Sequence, residues 1–418
     1  MVTPSNRRPI FAGRSGDRLS AQTALTQNSL DSADYLTMKL LHIIPDIRIS
    51  YGGPAATMFN MRHLWLAAGH EVQVLTIRKE GIAFPFRGGL TAVAPSSPAR
   101  FANSNEAAQW LANNYSQFDL VLIHGIWTAI SMRSALFLRR KRRPYVMIPH
   151  GSLDPFDLQK KSLAKRLLGP LIIRKVLAGS SSVLCSTQRS ADHLVDYGAK
   201  CQRKVLPWPV LPVNIQISRQ EARKQLMIRD DEFVILSLGR INYKKGFAVL
   251  LPAVKRLVQV NPKTRLLIAG PDSGGYKKVV KRMINQLGLQ DNITFFPLVT
   301  GDEKVRLLRA ADCFALPSLN ENFGRVLVEA MQQGLPCVIS NNVYICNELE
   351  KGGAAMVCNY DEIEVFAALQ KISDGPEIRA EMSANAMLVA RFFEPEALKE
   401  RYVTMLNDLA KPRKVNNP

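Results

Sequence analysis

Short apolar runs alternate with segments of helical spacing along most of this chain, and the alternation restarts after a proline-rich break. Strands joined through helices run parallel, and a parallel sheet covered on both faces has strands that are apolar throughout. The pattern therefore predicts an α/β chain with two Rossmann-like, doubly wound domains that face each other across a cleft. The predicted strands are residues 39–44, 71–76, 119–123, 144–148 and 182–186 before the break, then 233–238, 264–269, 292–296, 313–316, 337–340 and 355–358.

The proline-rich break, LPWPVLP at residues 206–212, sets the predicted domain boundary. We expect a first domain at 38–210 and a second at 213–391. Residues 1–37 are rich in Ser, Arg, Asn and Gln without an apolar period, so we expect a disordered extension there. The helices predicted after the break are 246–260, 276–287, 302–310, 323–333, 361–373, 377–392 and 396–409.

Cations and glycines occur where two predicted strands give way to helices. Ligands of doubly wound domains bind at the carboxyl ends of the strands. Arg240 and Lys245 follow the strand at 233–238, where two positive charges can neutralise a diphosphate leaving group. Gly52 and Gly53 precede a helix of the first domain, so backbone N–H groups there can bind the same anion.

Two carboxylates, Glu321 and Glu329, flank the segment Asn322-Phe323-Gly324. We expect Glu321 where a loop becomes a helix and Glu329 about two turns in, with about 80° between them around the axis. Gly324 lets a ligand approach the backbone, and the helix start offers an anion site. Carboxylates on both sides of a phosphate site suit a nucleotide-sugar, because they accept hydrogen bonds from the sugar hydroxyls at both ends.

His150 lies at a predicted strand end between Pro149 and Gly151, where its imidazole can donate to a sugar hydroxyl or to a developing charge. His124 also precedes a glycine, which is a weaker signal, and His42 falls inside a strand and is interpreted as a core residue. Each of these residues has a purely structural alternative: a satisfied histidine, a helix-cap Glu321, an exposed Glu329. Their combination with the cations favours a functional site.

The net charge of +20 is concentrated between residues 139 and 175, which hold eleven Lys or Arg and two Asp. An anionic membrane surface and a solvated helix face are both compatible with this segment. It has few aromatics and no helix-turn-helix, zinc or RNA-binding signature, which argues against a nucleic-acid partner. Its second half interleaves Lys160, Lys161, Lys165, Arg166, Arg174 and Lys175 with Leu163, Leu167, Leu168, Leu171, Ile172 and Ile173.

The cysteine and histidine spacing predicts no metal site, and no other cofactor signature is present. Several of the six cysteines fall in predicted buried strands, which is typical of reduced core thiols. The N-terminal residues lack the apolar centre of a secretory signal, and no apolar run is long enough to span a bilayer. We therefore expect a cytoplasmic protein, at the inner face of the plasma membrane if the basic segment binds lipid.

With these residues in place, the chain resembles the retaining glycosyltransferases of family four, which have the GT-B fold. The resemblance covers about residues 38 to 410 and is strongest from 266 to 340, with LIAGPD, LLRAAD, LPS, and ENFG followed by EAMQQGLP. It implies that Glu321 faces the donor sugar and that Glu329 holds the ribose. It further implies that Arg240 and Lys245 bind the diphosphate, and that Gly53 of the first domain approaches the same diphosphate. The backbone of Asn322, Phe323 and Gly324 would lie near the sugar and the phosphate. His150 would lie near the donor sugar and the acceptor.

The resemblance also implies an activity. A hexose would move, with retention and without a metal ion, from a nucleotide-diphosphate sugar to a saccharide or lipid-linked saccharide in exopolysaccharide or lipopolysaccharide synthesis. It implies same-face attack with the departing phosphate helping to deprotonate the acceptor, and a last helix at 392–410 that packs back onto the first domain. Residues 186–189 lack the acid often found at that bend in the family, so we expect the acceptor-side contacts to differ. A non-hydrolysing nucleotide-sugar epimerase and a non-catalytic sugar-nucleotide or polyanion binding protein remain alternatives.

Overall fold

The computed structural model describes residues 37–158, 169–213 and 215–410. The predicted extension at 1–37 lies outside this part of the chain except for residue 37, and so does the middle of the basic segment, 159–168. Within the described residues the predicted α/β fold with two doubly wound parallel sheets is confirmed.

The first domain is built on a seven-stranded parallel sheet with the strand order β3-β2-β1-β4-β5-β6-β7. The order reverses direction between β1 and β4, which is where ligands bind in such sheets. Its strands are β1 Lys39–Ile44, β2 Glu71–Ile77, β3 Leu90–Val93, β4 Leu120–His124, β5 Tyr145–Ile148, β6 Ser182–Cys185 and β7 Arg203–Val205. Its helices are α1 Gly53–Ala67, α2 Asn105–Asn114, α3 Ala129–Arg140, α4 Pro155–Leu158, α5 Gly169–Gly179 and α6 Gln188–Asp196.

The second domain repeats this design with a six-stranded parallel sheet, β10-β9-β8-β11-β12-β13, whose order reverses between β8 and β11. Its strands are β8 Phe233–Leu238, β9 Thr264–Ala269, β10 Ile293–Phe296, β11 Cys313–Leu316, β12 Cys337–Ser340 and β13 Ala355–Cys358. Its helices are α7 Arg219–Gln225, α8 Phe247–Val260, α9 Tyr276–Leu287, α10 Gly301–Ala310, α11 Arg325–Gln332, α12 Cys346–Lys351, α13 Glu362–Asp374 and α14 Pro376–Arg391.

The chain crosses between the domains twice, and the two crossings touch. The first is the proline-rich segment, whose Trp208 and Val210 are buried. The second leads into the last helix, α15 Pro395–Ala410, which packs on α1 of the first domain. There the ring of Tyr402 packs on the ring of Trp65, with centroids 5.3 Å apart, and its hydroxyl donates a hydrogen bond of 3.0 Å to the carbonyl of Pro207 in the linker. The Val210 N–H donates to the carbonyl of Phe393 at 2.8 Å, which ties the crossings together.

The structure differs locally from the predictions. Strands β3 and β7 were not predicted, because these short edge strands are only partly buried and lack a continuous apolar run. The helix predicted at 323–333 begins at Arg325, because Gly324 has a φ of 75° that ends the preceding loop in a left-handed conformation. Glu329 is therefore the fifth helical residue and Glu321 lies outside the helix, so the predicted angle between them around one axis is wrong.

Candidate active site

A cavity of 760 Å³ lies between the two domains at the carboxyl ends of both sheets. All ten residues that the sequence analysis assigned to the site line it, although they come from both domains and are spread over 278 positions of the chain. They are Gly52, Gly53, His150, Arg240, Lys245, Glu321, Asn322, Phe323, Gly324 and Glu329.

Glu321 forms an ion pair with Lys245 inside this cavity. The Lys245 Nζ lies 2.6 Å from Glu321 Oε2, and the two side chains are 16% and 21% exposed. The Glu321 backbone is held in a short bridge, because its N–H donates to Asn342 and its carbonyl accepts from Tyr344. The cavity thus holds a carboxylate and a cation together at the place where the sequence predicts that sugar and phosphate meet.

Glu329 is a buried carboxylate held by two cations. Its oxygens lie 3.2 Å from Lys304 Nζ and 3.3 Å from Arg325 Nη2. Burial raises the pKa of this carboxyl, but the Lys304 and Arg325 charges outweigh burial and the net pKa is lowered. Glu329 is therefore ionised at neutral pH and can accept hydrogen bonds from a diol.

The cations around Glu329 were missed by the sequence analysis. Arg325 stands four residues before Glu329 on the same helix, and this spacing is a recognisable ion-pair signal. Lys304 lies on α10 and reaches Glu329 only through tertiary packing, so nothing local in the sequence could identify it.

The glycine loop of the first domain faces Arg240 of the second. Gly52 has φ 79° and ψ −137°, a conformation suited to glycine, and a Cβ placed there would lie 3.8 Å from Arg240 Nε. Gly53 begins the fifteen-residue helix α1, and the space beside it is open. A helix N-terminus and a guanidinium on opposite walls form an anion-binding zone.

The Asn322-Phe323-Gly324 turn meets the cavity mainly through its backbone. The Phe323 side chain is buried against Phe393, with ring centroids 5.6 Å apart. A Cβ at Gly324 would lie 2.8 Å from the Leu327 side chain, and the φ of 75° would strain any residue that carries a side chain at this start of α11. The Asn322 side chain instead forms hydrogen bonds with the first domain.

Asn322 and its neighbours join the two domains. Its amide accepts from Ser186 Oγ at 3.0 Å and donates to Ser190 Oγ at 2.5 Å. Asp154 of the first domain similarly accepts hydrogen bonds from Asn320 Nδ2, at 3.2 Å, and from Tyr344 Oη. The bend at 186–189 thus provides a hydroxyl contact between the domains through Ser186.

His150 lies at the end of β5 with a φ of 52°, a left-handed conformation that is uncommon for a non-glycine residue and is concentrated at functional sites. Its Nε2 is hydrogen-bonded to His124 Nδ1 at 2.9 Å, and its ring lies 5.6 Å from the ring of Trp208. Burial lowers the pKa of His150 to about 3, so the imidazole is neutral at neutral pH.

The charges that line the cavity sum to an excess of two positive charges. Its cations are Arg240, Lys244, Lys245, Lys304 and Arg325, and its carboxylates are Asp157, Glu321 and Glu329. Each carboxylate is paired with a cation: Lys244 with Asp157, and the others as described above. Arg240 is exposed and is the cavity cation that has no carboxylate partner among residues 37–158, 169–213 and 215–410. A diphosphate diester carries two negative charges at neutral pH, which would balance this excess.

No group of three or more His, Cys, Asp or Glu side chains that could hold a metal ion occurs in the described residues. None of the described helices combines the length and apolar character needed to cross a bilayer. The six cysteines are free thiols, and burial raises the pKa of Cys185 to about 12 and that of Cys358 to about 11.

Two facing doubly wound domains with a ligand cleft between them define the GT-B class of glycosyltransferase folds, and solved structures agree. Sucrose-phosphate synthase from Thermosynechococcus elongatus superimposes with a TM-score of 0.74 at 18% identity, covering 89% of this chain and 99% of that one. The Anabaena protein HepE, solved in complex with UDP-glucose, superimposes with a TM-score of 0.72 at 19% identity, covering 89% and 100%. Similarity at this level of identity establishes the fold.

Family profiles identify the particular group. Residues 52–208 match the family described as glycosyl transferase 4-like domain, and residues 218–389 match the glycosyl transferases group 1. The alpha-monoglucosyldiacylglycerol synthase of Streptococcus pneumoniae is 26% identical over 245 residues, which are 57% of this chain and 53% of that protein. The chain thus spans about half the length of this curated relative. It belongs to the family-four type of glycosyltransferases with the GT-B fold.

Proposed function

We propose that this chain transfers a hexose from a nucleoside-diphosphate sugar to a saccharide or lipid-linked saccharide, with retention of anomeric configuration. The observation that carries the proposal is the set of charges that line one cavity. Arg240, Lys245 and the N-termini of α1 and α11 line it together with two carboxylates, Glu321 and Glu329. Cations for a diphosphate and a carboxylate each for two sets of sugar hydroxyls match a sugar, a diphosphate and a ribose.

The proposed reaction breaks the bond between the sugar C1 and the diphosphate oxygen and forms a bond from C1 to an acceptor hydroxyl. Attack occurs on the face that the leaving group departs from, and the hydroxyl proton moves to a diphosphate oxygen. Charge developing on the diphosphate is stabilised by Arg240, Lys245 and the helix N-termini, which supply the positive charge that a metal ion provides in other enzymes. We therefore propose activity without a divalent cation.

Binding and turnover test this proposal in sequence. Differential scanning fluorimetry against nucleoside diphosphates and their sugars identifies the donor, since a ligand at about 100 times its Kd stabilises the fold by about 2.7 kcal/mol. Incubation of that donor with saccharide acceptors in the presence of EDTA, followed by NMR of the product anomer, then tests transfer, retention and metal independence. Conversion of the donor to an isomer without acceptor would identify an epimerase, and binding without turnover would identify a binding protein.

We further propose that the acceptor is lipid-linked and lies at an anionic membrane. Exposed Arg139, Arg140 and Arg142 lie at the end of α3, and the Arg139 side chain packs on Gly179 at the end of α5. On α5, Leu171 and Ile172 are 68% and 43% exposed. Basic residues beside exposed apolar ones suit an anionic lipid surface. The pneumococcal relative is named for synthesis of a diacylglycerol glycolipid, which supports this choice.

Vesicle sedimentation tests the membrane proposal. We expect the full chain to bind vesicles with anionic lipid and to bind zwitterionic vesicles much less. Replacing Arg139, Arg140 and Arg142 by Gln should abolish the difference. The matched control replaces three exposed cations of the second domain, Lys278, Lys281 and Arg282, by Gln and should retain it. Equal binding to both vesicle types, or equal loss in both triple variants, would disprove a specific surface.

A further inference from the structure

Three histidines cross the first sheet on a diagonal that ends at the cleft. His42 of β1 lies opposite Leu122 of β4, and His124 of β4 lies opposite Ile148 of β5. Each histidine therefore stands two residues beyond the partner of the preceding one, and His150 follows Ile148 by the same step. Residues two apart point to the same face of a strand. The rings stack accordingly, with centroids 5.1 Å and 5.2 Å apart.

Hydrogen bonds join these three rings in series. His42 Nδ1 lies 2.8 Å from His124 Nε2, and His124 Nδ1 lies 2.9 Å from His150 Nε2. A neutral imidazole has one N–H and one lone pair, so the direction of either bond determines the direction of the other. Burial lowers the pKa of His42 and His150 to about 3 and the pKa of His124 well below its ordinary value. All three rings are therefore neutral at neutral pH.

The buried end of the series favours one direction. His42 is fully buried, and its Nε2 has no hydrogen-bond partner among the described residues. If that nitrogen carried the proton, an N–H donor would be orphaned in the core, which is the rarer kind of unsatisfied group. With the proton on Nδ1, His42 donates to His124, which donates to His150. His150 then carries its own proton on Nδ1, the nitrogen to which no described residue is bonded.

We infer that His42 and His124 are positioning residues, which hold His150 in the tautomer that donates its Nδ1–H to a sugar hydroxyl in the cleft. The inference rests on the proposed function, because the cleft must hold a sugar for the donor to act on. A free imidazole at a cavity wall exchanges between tautomers, and only one of them offers this donor. The two buried histidines thus select the useful tautomer before substrate arrives.

Histidine NMR on the full chain tests the inference without an activity assay. Nitrogen-15 shifts distinguish protonated from unprotonated ring nitrogens, and the chain has six histidines to assign. We expect His42, His124 and His150 to carry their protons on Nδ1. In His42→Phe, which keeps a ring but removes both nitrogens, His124 and His150 should become tautomer mixtures. In His42→Asn, whose amide can replace the Nδ1 donor, the wild-type tautomers should return.

Kinetics should follow the tautomers. We expect kcat/KM to fall by about tenfold in His42→Phe and to recover at least partly in His42→Asn, while His63→Phe on the exposed face of α1 changes neither readout. A wild-type His150 protonated on Nε2 overturns the inference, as does a His42→Phe protein with unchanged tautomers. If His42→Phe does not fold, the spectra of the wild-type and His42→Asn proteins still show whether His150 carries its proton on Nδ1. Wild-type protein inactive with every donor but showing these tautomers would refute the proposed function alone.

Discussion

Replacing Glu321 by Gln should separate nucleotide binding from sugar transfer. The substitution keeps the shape of the side chain but removes the charge that pairs with Lys245 at 2.6 Å. If the carboxylate contacts the donor sugar, transfer should fall by at least about tenfold, equivalent to about 1.4 kcal/mol of lost transition-state stabilisation. Affinity for the nucleoside diphosphate, which lacks the sugar, should change in the opposite direction.

The size of this opposite change follows from the exposure of the pair. Side chains that are 16% and 21% exposed are in partial contact with solvent, and pairs of this kind contribute at most about 1 kcal/mol. A diphosphate that binds the wild-type site must compete with Glu321 for Lys245. Removing the competitor should therefore tighten nucleoside diphosphate binding by up to about fivefold.

Isothermal titration of the diphosphate and steady-state transfer assays on the same preparations check both numbers. Glu303→Gln on the exposed start of α10 is the matched control and should alter neither. If Glu321→Gln weakens diphosphate binding as much as it slows transfer, the carboxylate acts by positioning Lys245 and not on the sugar. Unchanged transfer would refute the assigned role altogether.

Three further predictions concern stability. Glu329→Gln should destabilise the fold by roughly 1–3 kcal/mol at neutral pH. Because the folded pKa of Glu329 lies below the unfolded value of 4.5, the wild-type advantage should shrink as pH falls below that value, and melting temperatures of both proteins from neutral to acidic pH would show it. Gly324→Ala should lower the free energy of unfolding, measured with denaturant, by at least about 1–2 kcal/mol, because Gly324 has a left-handed φ and the new methyl group would contact Leu327. The control is Gly53→Ala, which has open space beside it and should leave this free energy unchanged. Tyr402→Phe should cost about 1 kcal/mol in the same assay by leaving a buried linker carbonyl unpaired, and an unchanged midpoint would contradict the importance of this bond.

The fold was largely predictable because fully buried parallel strands have a strong local signature. The run at 39–44 is apolar except at its first residue and the embedded His42, and it forms β1 over the same bounds. The edge strands β3 and β7 were not predicted, because they bury less apolar surface and resemble loops in composition. Helix α11 began later than predicted because the conformation of Gly324 ended the loop, which composition alone does not determine.

The site was predictable where its residues follow strand ends and was not where tertiary packing assembles it. Glu321 and Arg240 both stand at such ends, and the cleft contains both. Lys304 contacts Glu329 from another helix, and no spacing rule relates the two positions. His42 was interpreted as a core residue, and it is buried, but its link to His150 emerges only from the register of three strands.

The return of the final helix has a consequence for dissecting this molecule. A fragment that ends at the proline-rich segment would lack the Tyr402 ring that contacts Trp65. A fragment that begins after this segment would carry α15 without the α1 surface on which its apolar face packs. The two halves are therefore interlocked and are not modules that can be expressed separately by cutting once. A label attached near residue 410 reports on the first half of the chain, although it is joined in sequence to the second.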